Sequence, residues 1–240
     1  MTNKQNTIVI TGTNTGVGKS IVTAGLIQQL HLSKIRAAGI KPVETGCEYG
    51  EDHNLIAADG ALLHTMAPWV PANTVAPYRF RLPIAPTLAA RKSGLHLQLE
   101  DLTEVVEQAR YYANFLLIEG AGGAFSPLTE QHNSLDFAKA LNAPIIICAE
   151  DCLGTQSLTL SVIENARHRG LNIIGVVLSC LNADEAVTEQ QNAKTIAEWG
   201  KVDVFGSISK FEGELPEVAS QAGKQLSEFG LVSKVIDLHG

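Results

Sequence analysis

The residues best suited to chemistry form a glycine-rich loop near the N-terminus, Gly12-Thr13-Asn14-Thr15-Gly16-Val17-Gly18-Lys19-Ser20. It follows an apolar run and opens a stretch with helical spacing, which is the context of a phosphate-binding loop. Its glycines let backbone N–H groups face a phosphate, and the helix N-terminus adds partial positive charge. Lys19 can reach the terminal phosphates, and the Ser20 hydroxyl can coordinate magnesium. The loop predicts nucleotide binding by Thr13, Asn14, Thr15, Gly16, Val17, Gly18, Lys19 and Ser20.

The loop is one residue longer than the general motif, because five residues separate Gly12 from Gly18. A simple tight turn is the alternative interpretation of such a Gly- and Thr-rich segment. That alternative does not explain why Lys19 and Ser20 stand in the first helical turn.

Two further charged residues end predicted strands. Glu119 precedes the turn Gly120-Ala121-Gly122-Gly123, and Lys41 begins the segment Lys41-Pro42-Val43-Glu44-Thr45-Gly46. Taken alone, Glu119 suits a plain strand end and Lys41 a solvent-facing lysine before a turn. Parallel strands, however, place their carboxyl ends at one edge of the sheet. Combined with the loop, Glu119 is a candidate magnesium and nucleotide ligand, Gly122 a candidate nucleotide contact, and Lys41 a second cation for phosphoryl transfer.

Apolar runs of strand length alternate along the chain with stretches of helical spacing. The nearly continuous Val and Ile runs are typical of strands buried on both faces. This alternation predicts an α/β fold of the P-loop NTPase type, a mostly parallel central sheet with helices on both faces. The predicted strands are Thr7–Thr11, Ala37–Lys41, Phe115–Glu119, Ile145–Ala149, Ile173–Leu178 and Val202–Ile208. The predicted helices are Lys19–Leu32, Leu99–Tyr112, Leu135–Leu141, Thr155–Arg169 and Thr188–Trp199.

The segment Ala61–Gly94 interrupts this rhythm with five prolines, at positions 68, 71, 77, 83 and 86, and little periodicity. It is predicted to be a surface connection ordered mainly by packing. The sequence contains neither an internal repeat nor a linker. Residues 1–240 are therefore predicted to form one domain.

Composition narrows the choice of partners. The net charge of −7 and the even spread of Lys and Arg argue against nucleic-acid binding. No apolar run approaches the roughly 18 to 20 residues that a membrane span needs, and Met1–Thr7 is polar. A cytoplasmic protein that acts on a small molecule is expected. The four cysteines form no CxxC pair and are expected to be reduced and structural.

Several segments together resemble the dethiobiotin synthetase family. The phosphate loop is similar to that family's GTxTxxGK[ST], extra residue included. Lys41-Pro42-x-x-Thr45-Gly46 resembles its KPxx[ST]G, and Glu119 to Gly123 resembles its EGAGG. The proline-rich stretch from Ala76 to Pro86 is similar to a further family pattern. The resemblance covers Thr7 to about Ile208.

This resemblance implies a homodimeric ligase that uses ATP and Mg²⁺ to close a ring on 7,8-diaminononanoate with CO2. Lys19 and Lys41 would stabilise the carbamate and the γ-phosphate, and Thr45 would contact the carbamate or a substrate amine. Ser20, Asp52 and Glu119 would hold magnesium. Asp52 is placed by its position ahead of a helix predicted to begin near His53, so a helix N-cap is its alternative role. The helix start at Leu153-Gly154-Thr155 would bind the substrate carboxylate.

One position departs from the family pattern. An Asn often follows the strand equivalent to Ile174–Leu178 and reads the adenine edge, whereas this chain has Ser179. With Ser179 as the nucleotide contact, we expect weaker discrimination between bases, unless Asn182 takes over that role.

Two other functional classes share features of this sequence. ATPase switches related to the septum-site and partition proteins usually carry an additional lysine early in the loop, where this chain has Thr13 and Asn14. Amidotransferase-type synthetases of cobalamin synthesis need a glutaminase partner, for which 240 residues leave no room.

Overall fold

The computed structural model describes residues 6–180 and 191–239. The strands are β1 Thr7–Gly12, β2 Ala37–Ile40, β3 Val43–Thr45, β4 Glu48–Tyr49, β5 Leu55–Ile56, β6 Tyr78–Phe80, β7 Phe115–Glu119, β8 Ile145–Glu150, β9 Ile173–Ser179 and β10 Val204–Ile208. The helices are α1 Lys19–Leu32, α2 Ala58–Met66, α3 Ala72–Val75, α4 Pro86–Lys92, α5 Leu99–Ala109, α6 Ser134–Ala140, α7 Thr155–His168, α8 Gln191–Gly200, α9 Leu215–Glu228 and α10 Leu231–His239.

A six-stranded sheet in the order β10-β9-β8-β1-β7-β2 forms the centre of the molecule. Every pairing within it is parallel. All residues of β1 and β7 are buried, as their unbroken apolar runs predict. The predicted parallel sheet is therefore confirmed.

The helices form two layers on this sheet. The connection from β1 through α1 runs toward β2, whereas those leaving β7, β8 and β9 run toward β10. Because such crossovers are right-handed, α1 lies on the opposite face from α6, α7 and α8. In agreement, α1 packs against α2, α9 and α10, and α7 packs against α8. The strand order reverses around β1, where ligands bind in folds of this type.

The contact between α1 and α9 is unusually close. A Cβ on Gly25 would come within 2.8 Å of the Gly223 backbone nitrogen, so the two helices meet backbone to backbone. Only glycine allows this approach. It brings Leu215, the first residue of α9, to the carboxyl edge of the sheet near the phosphate loop.

The predicted surface connection over 61–94 is wrong in part. This segment contains most of α2, all of α3, β6 and α4, and it contributes Leu63, Val70 and Phe80 to the hydrophobic core. Strand β6 pairs with β3, so the segment is fixed to the chain that follows Lys41. Its prolines lie at the boundaries of these short elements, for example Pro86 at the start of α4.

Candidate active site

The phosphate loop forms the turn between β1 and α1. Gly16 and Gly18 have φ angles of 78° and 88°, in the left-handed region that favours glycine. Gly18 is the N-cap of α1, and no side chain caps the helix there. The first N–H groups of a helix need acceptors from outside the helix. An anion can therefore bind at this end of α1.

A cavity of about 300 Å³ lies against the loop. It brings eight predicted site residues together at the carboxyl edge of the sheet, and four residues that were not predicted also line it: Ile21, Asp59, Leu62 and Leu215. The predicted residues that line it are Thr15, Gly16, Gly18, Lys19, Ser20, Lys41, Glu119 and Gly122.

Three other predicted loop residues make contacts within the protein. The Thr13 backbone N–H donates to the Cys148 carbonyl at 2.9 Å. Asn14 accepts the Thr15 N–H on its side chain at 2.8 Å, and its carbonyl accepts the Lys19 ammonium at 2.9 Å. Val17 is buried beneath the loop.

The glycine-rich turn after β7 packs directly on the phosphate loop. The Ala124 N–H donates to the Gly12 carbonyl at 2.7 Å. A Cβ on Gly123 would lie 2.9 Å from the Thr13 carbonyl oxygen, so a larger residue would push the two loops apart. The second glycine-rich segment therefore positions the first.

Glu119 joins the loop to the second lysine. Its Oε1 atom accepts the Ser20 hydroxyl and the Lys41 ammonium, both at 2.8 Å. The residue is only 1% exposed, and its Oε2 atom is buried without a hydrogen-bond partner. A buried carboxylate oxygen without a partner is costly unless a ligand completes the site.

Asp59, from the start of α2, is the second carboxylate at this point. It forms an ion pair with Lys41 and also interacts with Ser20. Its side chain is 40% exposed, so it faces the cavity rather than the core. Lys41, Asp59, Glu119 and Ser20 form one contiguous cluster.

The two lysines have opposite pKa shifts. Burial lowers the pKa of Lys19, and the nearby charge of Glu119 opposes burial without outweighing it. Burial also acts to lower the pKa of Lys41, but Glu119, Asp59 and Glu44 surround it with negative charge and raise it. Burial acts to raise the pKa of Asp59, and the charge of Lys41 outweighs this and lowers it.

This cluster fits a magnesium ion. Magnesium prefers oxygen ligands, keeps several waters and needs only one or two protein carboxylates besides phosphate. Ser20, Asp59 and Glu119 offer such a donor set. Within residues 6–180 and 191–239 there is no group of three or more His, Cys, Asp or Glu that could hold a metal on its own. Because magnesium needs only one or two protein carboxylates besides phosphate, Ser20, Asp59 and Glu119 suit a magnesium ion that arrives with a phosphate.

The structure does not place Asp52 in this cluster. Its side chain is exposed, accepts the Asn54 side-chain amide at 2.7 Å and lines a different cavity. The helix predicted near His53 begins at Ala58 instead, and His53 lies in a turn with φ of 59°. Asp52 makes a local turn contact with the Asn54 N–H, a role typical of Asp in turns. The aspartate that lies in the cluster is Asp59.

The Ser179 side chain faces the phosphate loop from inside the protein. It is 1% exposed, and its hydroxyl donates to the Val17 carbonyl at 3.1 Å. It therefore supports the phosphate loop from below, and its placement contradicts the prediction that it contacts the nucleotide. Asn182, the other candidate, lies outside the described residues.

Two predicted substrate contacts lie away from the phosphate cavity. Thr45 ends β3, where it pairs with Phe80, and is half-buried. Leu153 and Gly154 precede α7 and Thr155 begins it, with Gly154 as an N-cap that provides no side-chain hydrogen bond. This helix follows β8, the neighbour of β1, so its N-terminus opens on the same edge of the sheet.

Comparison with known proteins shows the family. A family model described as an AAA domain matches residues 6–214. The ATP-dependent dethiobiotin synthetase of Bacillus cereus (strain G9842) is 32% identical over 228 residues, which cover 94% of this chain and 91% of the relative. The chain belongs to the dethiobiotin synthetase family. Another member, from Anaeromyxobacter dehalogenans (strain 2CP-C), is 35% identical over 79% of this chain and 83% of its own.

Comparison with solved structures shows the fold of this member of the dethiobiotin synthetase family. A ParA family ATPase from Chlorobium tepidum TLS covers 98% of both chains with a TM-score of 0.57 and 13% identity. The MinC:MinD cell division protein complex of Aquifex aeolicus matches 98% of this chain and 94% of that chain with a TM-score of 0.51 and 15% identity. At such low identity these matches show the fold alone. They confirm the predicted α/β fold of the P-loop NTPase type.

Proposed function

We propose that this chain is a dethiobiotin synthetase, a ligase of biotin biosynthesis that uses ATP and Mg²⁺ to form dethiobiotin from 7,8-diaminononanoate and CO2. Membership of the family supports the substrate assignment. The observation that carries the chemistry is that Lys19 and Lys41, from separate strand ends, line one cavity with Ser20, Asp59 and Glu119.

The proposed reaction has three steps. CO2 adds to one amine, which loses a proton and becomes a carbamate. A carbamate oxygen attacks the γ-phosphorus of ATP, and the bond from that phosphorus to the bridging oxygen breaks to release ADP. The second amine attacks the carbamate carbon, the bond to the phosphate oxygen breaks, and phosphate leaves as the ring closes with loss of the amine proton.

These steps need oriented reactants and neutralised charge more than a protein nucleophile. Lys19 is placed in the loop to contact the terminal phosphates, and Lys41 lies where it can neutralise the carbamate and the transferred phosphoryl group. Ser20, Asp59 and Glu119 would hold Mg²⁺, which when bound neutralises the β- and γ-phosphate oxygens. Thr45 remains a proposed contact of the carbamate or the substrate amine.

The substrate carboxylate is proposed to bind at the N-terminus of α7, beside Leu153-Gly154-Thr155, because the first N–H groups of a helix need acceptors from outside the helix. Leu153 is 96% exposed and Leu158, one turn into the helix, is 54% exposed. A second copy of the chain that covers this apolar edge accords with the homodimer implied by the family. Sedimentation at twice the 25.6 kDa chain mass would support the dimer, and a fully active monomer would contradict it.

We further propose a single cytoplasmic ligase domain without nucleic-acid or membrane partners. The main hydrophobic core runs from Ile8 to Val235 without division, which supports one domain. Among the described residues, no helix is both long and apolar enough to cross a bilayer.

The direct test of the function is product formation. The purified protein is incubated with 7,8-diaminononanoate, bicarbonate and MgATP, and the cyclised product is detected by mass spectrometry. Phosphate release that depends on the diamine supports the ligase. Phosphate release without the diamine, and without a cyclised product, would instead indicate an ATPase switch.

The magnesium assignment predicts a difference between two nearby aspartates. Asp59→Asn should raise the Mg²⁺ concentration for half-maximal activity by at least about 10-fold, since losing even an outer-shell partner of a metal commonly costs that much affinity. Asp52→Asn should leave it unchanged, because Asp52 is exposed and paired with Asn54. Magnesium titrations of both variants measure this difference. Sensitivity to Asp52→Asn with a normal response of Asp59→Asn would reverse the assignment.

Base selectivity should not depend on Ser179. Ser179→Ala removes a buried hydrogen bond to the Val17 carbonyl, which should lower stability by about 0.5–1.5 kcal/mol. The relative kcat/KM values for ATP, CTP and GTP should remain those of the wild type, because the hydroxyl faces the loop and not a base. Kinetics with the three nucleotides, alongside thermal melts, measure both effects. Selective loss of ATP use would restore Ser179 as a base contact.

A further inference from the structure

Helix α2 begins without a local cap. Its N-cap residue is Ala57, whose methyl side chain cannot accept a hydrogen bond. The N–H groups of the second and third residues of a helix are those that an N-cap side chain normally satisfies. In α2 these residues are Asp59 and Gly60.

Glu44, in strand β3, provides the missing acceptors from 15 and 16 residues away. Its Oε1 atom accepts the Asp59 N–H at 3.0 Å, and its Oε2 atom accepts the Gly60 N–H at 2.9 Å. Glu44 is 5% exposed. Burial raises its pKa, while the charge of Lys41 and the two N–H donors oppose that shift. Its carboxylate therefore serves as a remote N-cap.

The helix start has little freedom to find another position. A Cβ on Gly60 would lie 2.6 Å from the Ala76 side chain, so α2 begins in close contact with the segment that leads into β6. Strand β6 in turn pairs with β3, which carries Glu44. The backbone of Asp59 is thus fixed from both sides while its carboxylate faces the cavity.

We propose that Glu44 is a positioning residue for the magnesium site, which acts by capping α2 and thereby fixing the carboxylate of Asp59 beside Ser20 and Glu119. The inference deepens the proposed function, on which it rests for the role of Asp59 toward magnesium. It also explains why β3 directly follows the strand that delivers Lys41. The short segment from Lys41 to Glu44 therefore positions both the Lys41 ammonium and the Asp59 carboxylate that pairs with it.

Glu44 has two other conceivable roles. As a metal ligand it would need a free oxygen, but both of its oxygens accept backbone N–H groups. As a charge partner it acts on Lys41 less strongly than Glu119 and Asp59 do. A new N-cap side chain on α2 should restore metal binding in a Glu44 variant if Glu44 acts as a cap. It should not restore metal binding if Glu44 acts through its charge.

The test uses the full chain and four variants: Glu44→Ala, Glu44→Gln, Glu44→Ala combined with Ala57→Ser, and Asp52→Asn as a matched exposed control. Ala57 has an extended backbone, with φ of −87° and ψ of 104°, the conformation of an N-cap residue. A serine hydroxyl there can accept the N–H groups that Glu44 leaves. Binding of Mn²⁺ together with a non-hydrolysable ATP analogue is measured by electron paramagnetic resonance, and amide exchange over 58–66 by mass spectrometry.

We expect Glu44→Ala to weaken Mn²⁺ binding by about 10-fold or more, the usual cost of removing a group that orients a metal ligand. Amide exchange at the start of α2 should rise in parallel. Glu44→Gln keeps one acceptor and should show a smaller loss of both. The double variant should recover protection and most of the affinity, and Asp52→Asn should match the wild type.

Three results would overturn the proposal. Mn²⁺ affinity within about 2-fold of wild type in Glu44→Ala would mean that the cap does not position the metal site. Recovered protection without recovered affinity in the double variant would assign Glu44 a charge role. If Glu44→Ala fails to fold, unchanged affinity in Glu44→Gln despite faster exchange would likewise mean that the cap does not position the metal site. Asp59→Asn distinguishes failure of the Glu44 proposal from failure of the magnesium site. Normal Mn²⁺ binding in that variant would refute the proposed magnesium site itself.

Discussion

Replacing Lys41 with alanine should lower kcat by about 10²-fold or more, because the proposed mechanism places its ammonium where charge develops during phosphoryl transfer. Lys41 is 6% exposed and is held by Glu119 and Asp59, so it needs little reorganisation as the reaction proceeds. Steady-state kinetics with saturating MgATP and diamine measure the loss. Lys139→Ala, which removes an exposed lysine from α6, is the control and should behave as the wild type.

The same change should destabilise the protein. Removing one partner of a buried ion pair leaves the other charge uncompensated, at a typical cost of about 3–5 kcal/mol. The Ser20 hydroxyl still donates to Glu119, so a value near the lower end is expected. Because folding raises the pKa of Lys41, its stabilising contribution is fully present below the ordinary lysine value and is lost as the pH rises through the higher folded value.

A second substitution separates catalysis from stability. Lys41→Gln keeps a donor for Glu119 without the positive charge, so it should fold more stably than Lys41→Ala and still lack most of the kcat. Thermal melts beside kinetics give both quantities. If either folded variant changes only the KM for ATP, Lys41 contributes to ATP binding and not to the transition state.

The central sheet and the phosphate loop could be predicted because their signals are local. Strand β7 and helix α1 have the predicted bounds, since an unbroken apolar run and a Gly-rich loop before a helical pattern each have one favourable structure. The convergence of Lys41 and Glu119 also followed, because parallel strands end at one edge of the sheet.

Helix α2 and its aspartate could not be predicted in the same way. Local sequence points to Asp52 as a helix N-cap, whereas α2 begins at Ala58 and takes its cap from Glu44 in another strand. When the capping residue lies in a distant strand, the sequence next to the helix contains no signal that predicts where the helix begins. The sequence consequently indicates Asp52, whereas the aspartate that lies beside Lys41 and Ser20 is Asp59.

The direction of the Ser179 side chain also could not be predicted from the sequence. Its position at the end of β9 suggested contact with a base, but the direction of its hydroxyl depends on the loop packed above it. The loop carbonyl of Val17 takes that hydrogen bond. Neither the sequence position nor the residue type contains this information.

Replacing Lys19 with alanine should abolish phosphoryl transfer while leaving the fold intact. Lys19 lines the phosphate cavity at the start of α1, and in phosphate loops a lysine at this position neutralises the terminal phosphates. Burial, the main influence on its pKa, lowers that value, so the folded protein holds this charge at a cost. The lysine is therefore maintained for a ligand and not for stability.

This variant should lose much less stability than Lys41→Ala. A base with a lowered folded pKa destabilises the protein at neutral pH, and this penalty disappears as the pH rises through the folded value toward the ordinary one. Lys19→Ala loses the hydrogen bond to the Asn14 carbonyl, worth about 0.5–1.5 kcal/mol, but also loses the penalty of a buried charge. Its melting temperature at neutral pH should therefore stay close to that of the wild type, above that of Lys41→Ala.

Single-turnover phosphate release and thermal melts at neutral pH test both halves of this prediction. A folded Lys19→Ala protein with wild-type turnover would remove the phosphate loop from the mechanism. A strongly destabilised variant would mean that the buried ammonium helps hold the loop together. The expected pair of results, lost turnover with retained stability, would distinguish Lys19, whose charge serves phosphate, from Lys41, whose charge also stabilises the carboxylates of Glu119 and Asp59.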